Sequence, residues 1–189
     1  MIRPNAKMKD QVFIAEIKTQ SPFGFKSPYC FSELKDMAVQ HGHWISVHTN
    51  ALWGGDFDSL AFVRRCTGKP ILAKGIHATD DDIQRALDHG ANYVLVVDRI
   101  PKDKYLPHCL LEMNGKGWLP PECKFVCNAR NLCTGELNTR YDIELSRFIT
   151  AGHWVCQASG ITHPNSVDPA VDAFIVGENL PYFIKAAFL

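Results

Sequence analysis

The sequence has no hydrophobic run approaching the roughly 18 residues that a membrane-spanning helix needs. Its opening stretch, Met1 to Asp10, is too polar for a secretory signal, so a cytoplasmic protein is expected. There is no excess of either charge, with 20 Lys+Arg against 20 Asp+Glu. Nothing global steers the chain toward nucleic acid or an anionic membrane, and an anionic ligand must be held by local groups. A paired-cysteine pattern is also missing. The seven cysteines, Cys30, Cys66, Cys109, Cys123, Cys127, Cys133 and Cys156, are odd in number and several sit inside apolar runs, which argues against a disulfide framework. Cys123, Cys127 and Cys133 lack the second ligand pair of a zinc site. His41, His43 and His48 complete no ligand set either, and read as satisfied or exposed side chains. No metal site is expected.

What is present is an alternation of short apolar runs with helical patterns, in a 189-residue chain that suits one domain, 1–189, around one core. Strand-like runs fall at Val12–Ile17, Trp44–His48, Pro70–Ala73 and Tyr93–Val97, then at Cys109–Met113, Lys124–Cys127, Trp154–Cys156 and Ala173–Val176. They are nearly continuous in hydrophobicity, as strands are when helices cover one face and a core fills the other. Helical patterns lie at Ser32–Gln40, Asp58–Cys66 and after Thr79, where Asp80, Asp81 and Asp82 favour the helix dipole and Ile83, Ala86 and Leu87 share a face. Strand, helix, strand in repetition means parallel βαβ units, and eight such strands predict a closed (β/α)₈ TIM barrel. An open α/β sheet is the structural alternative.

The chain is short for that fold, which typically needs about 250 residues. The shortfall is placed in the second half. The segments Arg99–His108, Asn114–Cys123 and Thr162–Val171 carry Pro101, Pro107, Pro120, Pro121, Pro164 and Pro169. Proline in so short a crossover leaves no room for a full helix. The helices after strands 4, 5 and 7 are therefore expected to be shortened or missing. Strand faces left uncovered in this way predict shielding by packed loops or by a second copy of the chain, a homo-oligomer.

In such a barrel, polar residues at the C-terminal strand ends point into the catalytic mouth. Glu16 and Lys18 lie two apart at the end of the first strand, and Lys74 ends the third. Glu112 lies in the fifth, and Asn128 and Arg130 end the sixth; Ser159-Gly160 and Gly177-Glu178 follow the last two strands. Singly, each reads as an ion pair, a cap or a turn former. Together they bring lysines, carboxylates, an Asn and an Arg to one mouth, which is costly without a ligand or a catalytic purpose.

The segments carrying these residues resemble indole-3-glycerol phosphate synthase, in order, from about Val12 to Leu180. Ile14-Ala15-Glu16-Ile17-Lys18-Thr19-Gln20-Ser21-Pro22 is similar to that family's first-strand signature. Ile45-Ser46-Val47-His48-Thr49 with Gly54-Gly55-Asp56-Phe57 resembles its second strand and the loop beyond, and Pro70-Ile71-Leu72-Ala73-Lys74 its third. Asn128-Ala129-Arg130-Asn131-Leu132, Ser159-Gly160-Ile161 and Phe174-Ile175-Val176-Gly177-Glu178 are similar to its last three.

The resemblance implies a carboxy-lyase of tryptophan biosynthesis. It would close the indole ring of a phosphorylated carboxyphenylamino-deoxyribulose, releasing carbon dioxide and water, with no metal or organic cofactor. It implies Lys74 as general acid, Lys18 and Glu112 as acid and base of the dehydration, and Glu16 orienting Lys18. It implies Asn128 and Arg130 on the sugar and carboxylate, with Ser21, Ser159, Gly160, Gly177 and Glu178 also on the substrate, the last four around its phosphate. The chain departs from the family pattern at Ala158, where the family has a carboxylate, and at Gly75-Ile76, where it has Asp-Phe. A barrel that binds sugar phosphates without efficient turnover, or one that runs a different sugar-phosphate reaction, remains open on these residues.

Overall fold

The computed structural model describes residues 10–113, 120, 122–137 and 141–188. Eight strands pair in parallel and in chain order: β1 (Val12–Ile17), β2 (Trp44–His48), β3 (Ile71–Lys74), β4 (Tyr93–Val97), β5 (Cys109–Glu112), β6 (Lys124–Asn128), β7 (Trp154–Ala158) and β8 (Ala173–Val176). β8 pairs with β1 and closes the barrel, which removes the open-sheet alternative.

Five α-helices lie among the described residues: α1 (Phe31–His41), α2 (Phe57–Cys66), α3 (Asp80–Asp88), α4 (Tyr141–Thr150) and α5 (Leu180–Phe188). α2 and α3 start at side-chain caps. Asp56 Oδ1 accepts the Ser59 amide at 2.7 Å, and Thr79 Oγ1 accepts the Asp82 amide at 3.2 Å while Asp82 Oδ2 accepts the Thr79 amide at 2.9 Å. α4 and α5 were given no limits from the sequence.

The shortfall of helix falls where the prolines predicted it. After β4 the chain makes only a 3-10 segment, Asp103–His108, and after β7 only Pro164–Ser166. The connection after β5 lies mostly outside the described residues.

Polar side chains sew the reduced connections down. Gln157 Nε2 donates to Ser166 O at 3.0 Å and its Oε1 accepts the Asp168 amide at 2.8 Å. Gln11 Nε2 donates to Asp168 O and Val171 O. Arg99 Nε donates to His77 O at 2.9 Å and Nη1 pairs with Asp80 at 2.7 Å, which ties the start of the β4 connection to α3.

Of the two shields expected for these strand faces, packed loops or a second copy, the loops are present. The outward residues of β4 and β5 (Val94, Val96, Cys109 and Leu111) are fully buried within the single chain, packed in one cluster with Tyr105 and Leu106. Loops do the work of the missing helices, so the described strand faces call for no second subunit.

Two apolar layers result. One lies between strands and helices, and the other fills the barrel with Ile14, Leu72, Leu95, Leu110, Val126, Cys156 and Ile175. The N-terminal end of the barrel is closed by rings, with Trp44 stacked on Tyr93 at 4.4 Å and on Trp154 at 6.0 Å. The opposite end is open and polar. No helix among the described residues is long and apolar enough to cross a membrane.

Candidate active site

Side chains alternate along a strand, so Ile14 in the core is followed on the same inner face by Glu16 and then Lys18. The same step of two takes Trp44 to Ser46 to His48, Leu110 to Glu112, and Val126 to Asn128. The parallel register then sets these ends side by side, with Glu16 opposite Ser46, His48 opposite Lys74 and Asn128 opposite Ala158.

The result is a cavity of about 750 Å³ at the C-terminal ends of the strands. Glu16, Lys18, Lys74, Glu112, Asn128, Arg130, Ser159, Gly160, Gly177 and Glu178 all line it. Ser21 does not. Its side chain is turned into its own loop, where Oγ accepts the Phe23 amide at 3.3 Å, and its neighbours Pro22 and Phe23 reach the cavity instead. A hydroxyl two residues from the amide it caps closes a turn more readily than it reaches across a mouth.

Glu16 is the hub. Lys74 Nζ donates to its Oε1 at 3.1 Å, and His48 Nε2 contacts the same oxygen. Burial by itself would raise its carboxyl, but the ammonium of Lys74, then His48, then Lys18 hold it well below the usual carboxylate range. Glu16 is therefore an anion between cations. Lys18 pairs instead with Glu178 at 2.6 Å, and Arg130 Nη2 meets the other oxygen of Glu178 at 3.2 Å. The Glu178 side chain is thus a bridge between the two outer cations.

Glu112 stands apart from these pairs. Burial pushes its carboxyl up, opposed by a hydrogen bond from Asn128 Nδ2 at 2.9 Å and by the charge of Lys74. Its Oε2 is buried without a hydrogen-bond partner. Asn128 fixes it from the side: while Nδ2 serves Glu112, Oδ1 accepts the Ser159 hydroxyl at 2.6 Å and the Arg130 amide at 3.0 Å. One amide side chain therefore ties β5, β6 and the loop after β7 together. Ser159 and Gly160 both take left-handed backbone, φ 66° and 69°, a strained state for Ser159.

The rim is apolar. Leu52, Trp53, Ile76 and Leu137 line it, and Leu52, Ile76 and Leu137 are more than half exposed. Trp53 also lies under Lys18 Nζ, 4.8 Å from the ring. Gln157, the neighbour of Ala158, points out of the barrel to hold the 162–171 loop, so it offers no substitute for the missing carboxylate.

His48 is a satisfied histidine at Nε2, as its sequence context predicts, but it stands inside the site and not outside it. It is buried, lines the cavity and contacts Glu16. The signal was available in the alternation, because His48 continues the inner face of Trp44 and Ser46. A search for metal-ligand spacing does not detect that. Among the described residues no three His, Cys, Asp or Glu side chains gather as a metal ion would require.

No protein-family model matches the chain. It is 32% identical over 146 residues to the indole-3-glycerol phosphate synthase of Sulfurimonas denitrificans, a stretch that covers 67% of this chain and 56% of that protein. The chain thus spans a little over half the length of that curated relative. The closed parallel barrel, the ordered motifs and this match agree, and the chain is a homologue of indole-3-glycerol phosphate synthase.

Proposed function

We propose that the protein is a carboxy-lyase that closes an indole ring on a phosphorylated carboxyphenylamino-deoxyribulose, the reaction that its resemblance to indole-3-glycerol phosphate synthase implies. The observation that carries this reading is the convergence of Lys18, Lys74, Glu16 and Glu112 from three strands on one cavity with an apolar rim.

The residues suit the chemistry. The aromatic ring of the substrate rests against Trp53, Leu52 and Ile76. Its carboxylate-bearing carbon attacks the ketone carbon, and Lys74 donates a proton to the carbonyl oxygen as the new carbon–carbon bond forms. Carbon dioxide leaves and returns its electron pair to the ring. The hydroxyl then departs as water with a proton from Lys18, and Glu112 takes a proton from the neighbouring methylene carbon beside the nitrogen, so that the double bond of the new five-membered ring forms. A carboxylate whose proton affinity is raised by burial is the better base for that last step. Glu16 holds Lys74 and shares the field that acts on Lys18, while Asn128 holds Glu112.

The phosphate goes to the backbone of Ser159–Gly160 and Gly177–Glu178, beyond the last two strands. As the dianion arrives it competes with Glu178 for Lys18 and Arg130. No cofactor takes part in these steps.

Incubation of the protein with the carboxyphenylamino-deoxyribulose phosphate, followed by indole fluorescence, tests the reading. Product is expected, and Lys74→Ala should abolish it while substrate binding survives. Binding without turnover in the unsubstituted protein would refute catalysis. It would favour a degenerate sugar-phosphate-binding barrel, the reading that Ala158 supports.

A further inference from the structure

His48 has a buried imidazole that the scheme above does not use. It stands beside Lys74 across the β2–β3 ladder, and both side chains reach the same oxygen of Glu16. The ring is clamped, stacked on Trp53 at 5.3 Å with 8° between planes. From the other side, β8 leaves space for the carboxylate only because residue 177 is glycine. A Cβ there would lie 2.3 Å from Glu16 Oε2. Glu16 is thus boxed by His48, Lys74 and the bare backbone of Gly177.

We propose that His48 is a positioning residue of this site: as a neutral imidazole it donates its Nε2–H to Glu16 and so fixes the carboxylate that aims Lys74. The protonation state follows from the surroundings. Nδ1 is buried with no hydrogen-bond partner, so a proton there would be stranded, whereas a lone pair is better tolerated. The groups that face the pair are Lys18 on the strand of Glu16, Lys74 on β3 and, farther off, Glu112 on β5; β8 contributes no charge at Gly177. Burial disfavours an imidazolium most, and the two ammonium groups add to that, against the pull of Glu16. A neutral donor holds Glu16 without competing with Lys74 as a cation would.

The catalytic half of the inference rests on the lyase reading, and the structural half does not, so two measurements separate them. The first is imidazole nitrogen NMR of the substrate-free protein, with the His48 signal identified by its loss in His48→Gln. The ring should hold its proton on Nε2 and take up a second one only at a pH below that at which an ordinary histidine becomes charged. Glu16→Gln should move that signal. A proton on Nδ1, or titration with an ordinary midpoint, overturns the proposal whether or not the protein is an enzyme.

The second compares turnover in His48→Leu, which removes the donor, with His48→Gln, which keeps one. His48→Leu should lower kcat by about tenfold to a hundredfold with KM within about twofold. It should also raise the acid limb of kcat by about one pH unit, because Glu16 loses a donor. His48→Gln should restore most of both. Should His48→Leu fail to fold, His48→Gln and the NMR titration still decide the matter. Unchanged kcat and acid limb in a folded His48→Leu protein overturn the proposal, whereas no turnover in the unsubstituted protein removes the lyase reading and leaves the NMR result to decide His48.

Discussion

Gly177→Ala isolates what the box around Glu16 is worth. Gly177 has no left-handed backbone, so alanine meets no conformational strain there and the effect comes from collision alone. The new Cβ would lie 2.3 Å from Glu16 Oε2 and 2.8 Å from Cδ, where ordinary contact begins at 3.4 Å. The carboxylate must retreat by about 1 Å. β1 lies between β8 and β2, so the push from β8 drives Glu16 toward His48 and Lys74. A misplacement of that size costs about a hundredfold in kcat, equivalent to about 2.7 kcal/mol of barrier. Overpacking costs about 1–3 kcal/mol of stability, at roughly 2–4 °C in Tm for each. The apolar rim is untouched, so any rise in KM reports on the phosphate end of the cavity, which Gly177 also lines. The assay is steady-state turnover, read together with the His48 NMR signal, which must shift if Glu16 has moved. A folded Gly177→Ala protein with full kcat and an unmoved His48 signal would refute the claim that Glu16 is held in a tight box.

Two other substitutions test the barrel away from that contact. Glu112 has its carboxyl raised above 4.5 by burial, so its share of stability is present at low pH and is lost as the pH climbs through the raised value. Glu112→Gln removes that loss: the Tm advantage of the variant should grow between about pH 4 and about pH 8, while turnover falls. An advantage that does not change with pH would show that the buried charge is not the cause. Gln157→Leu strands the Asp168 amide and the Ser166 carbonyl and should cost about 1–3 kcal/mol, with faster hydrogen exchange at Asp168 and little change in β6. Unaltered exchange at Asp168 would mean that the loop is held by something else.

Much of this protein is local, and the sequence determined it. The apolar runs, the cap at Thr79 and the prolines of the second half depend on near neighbours, so the strands, the first three helices and the reduced connections after β4 and β7 could be read directly. The step of two along a strand placed Glu16 with Lys18, and the ordered motifs pointed to the site's location.

Tertiary structure decided the rest, because it depends on which side chains meet across strands. Register puts His48 beside Lys74 and sends both to Glu16, while closure of β8 on β1 brings Gly177 against the same carboxylate. The turn at Ser21 faces its own loop, and Glu178 spans Lys18 and Arg130. Whether the reduced connections leave the strands bare was also beyond the sequence. The burial of Val96 and Leu111 and the hydrogen bonds of Gln157 depend on loops folding back onto strands far away in the chain. A one-dimensional pattern records which residues are apolar or charged. The pairing energy of a buried charge depends on distances of a few ångströms, and only the closed barrel sets those.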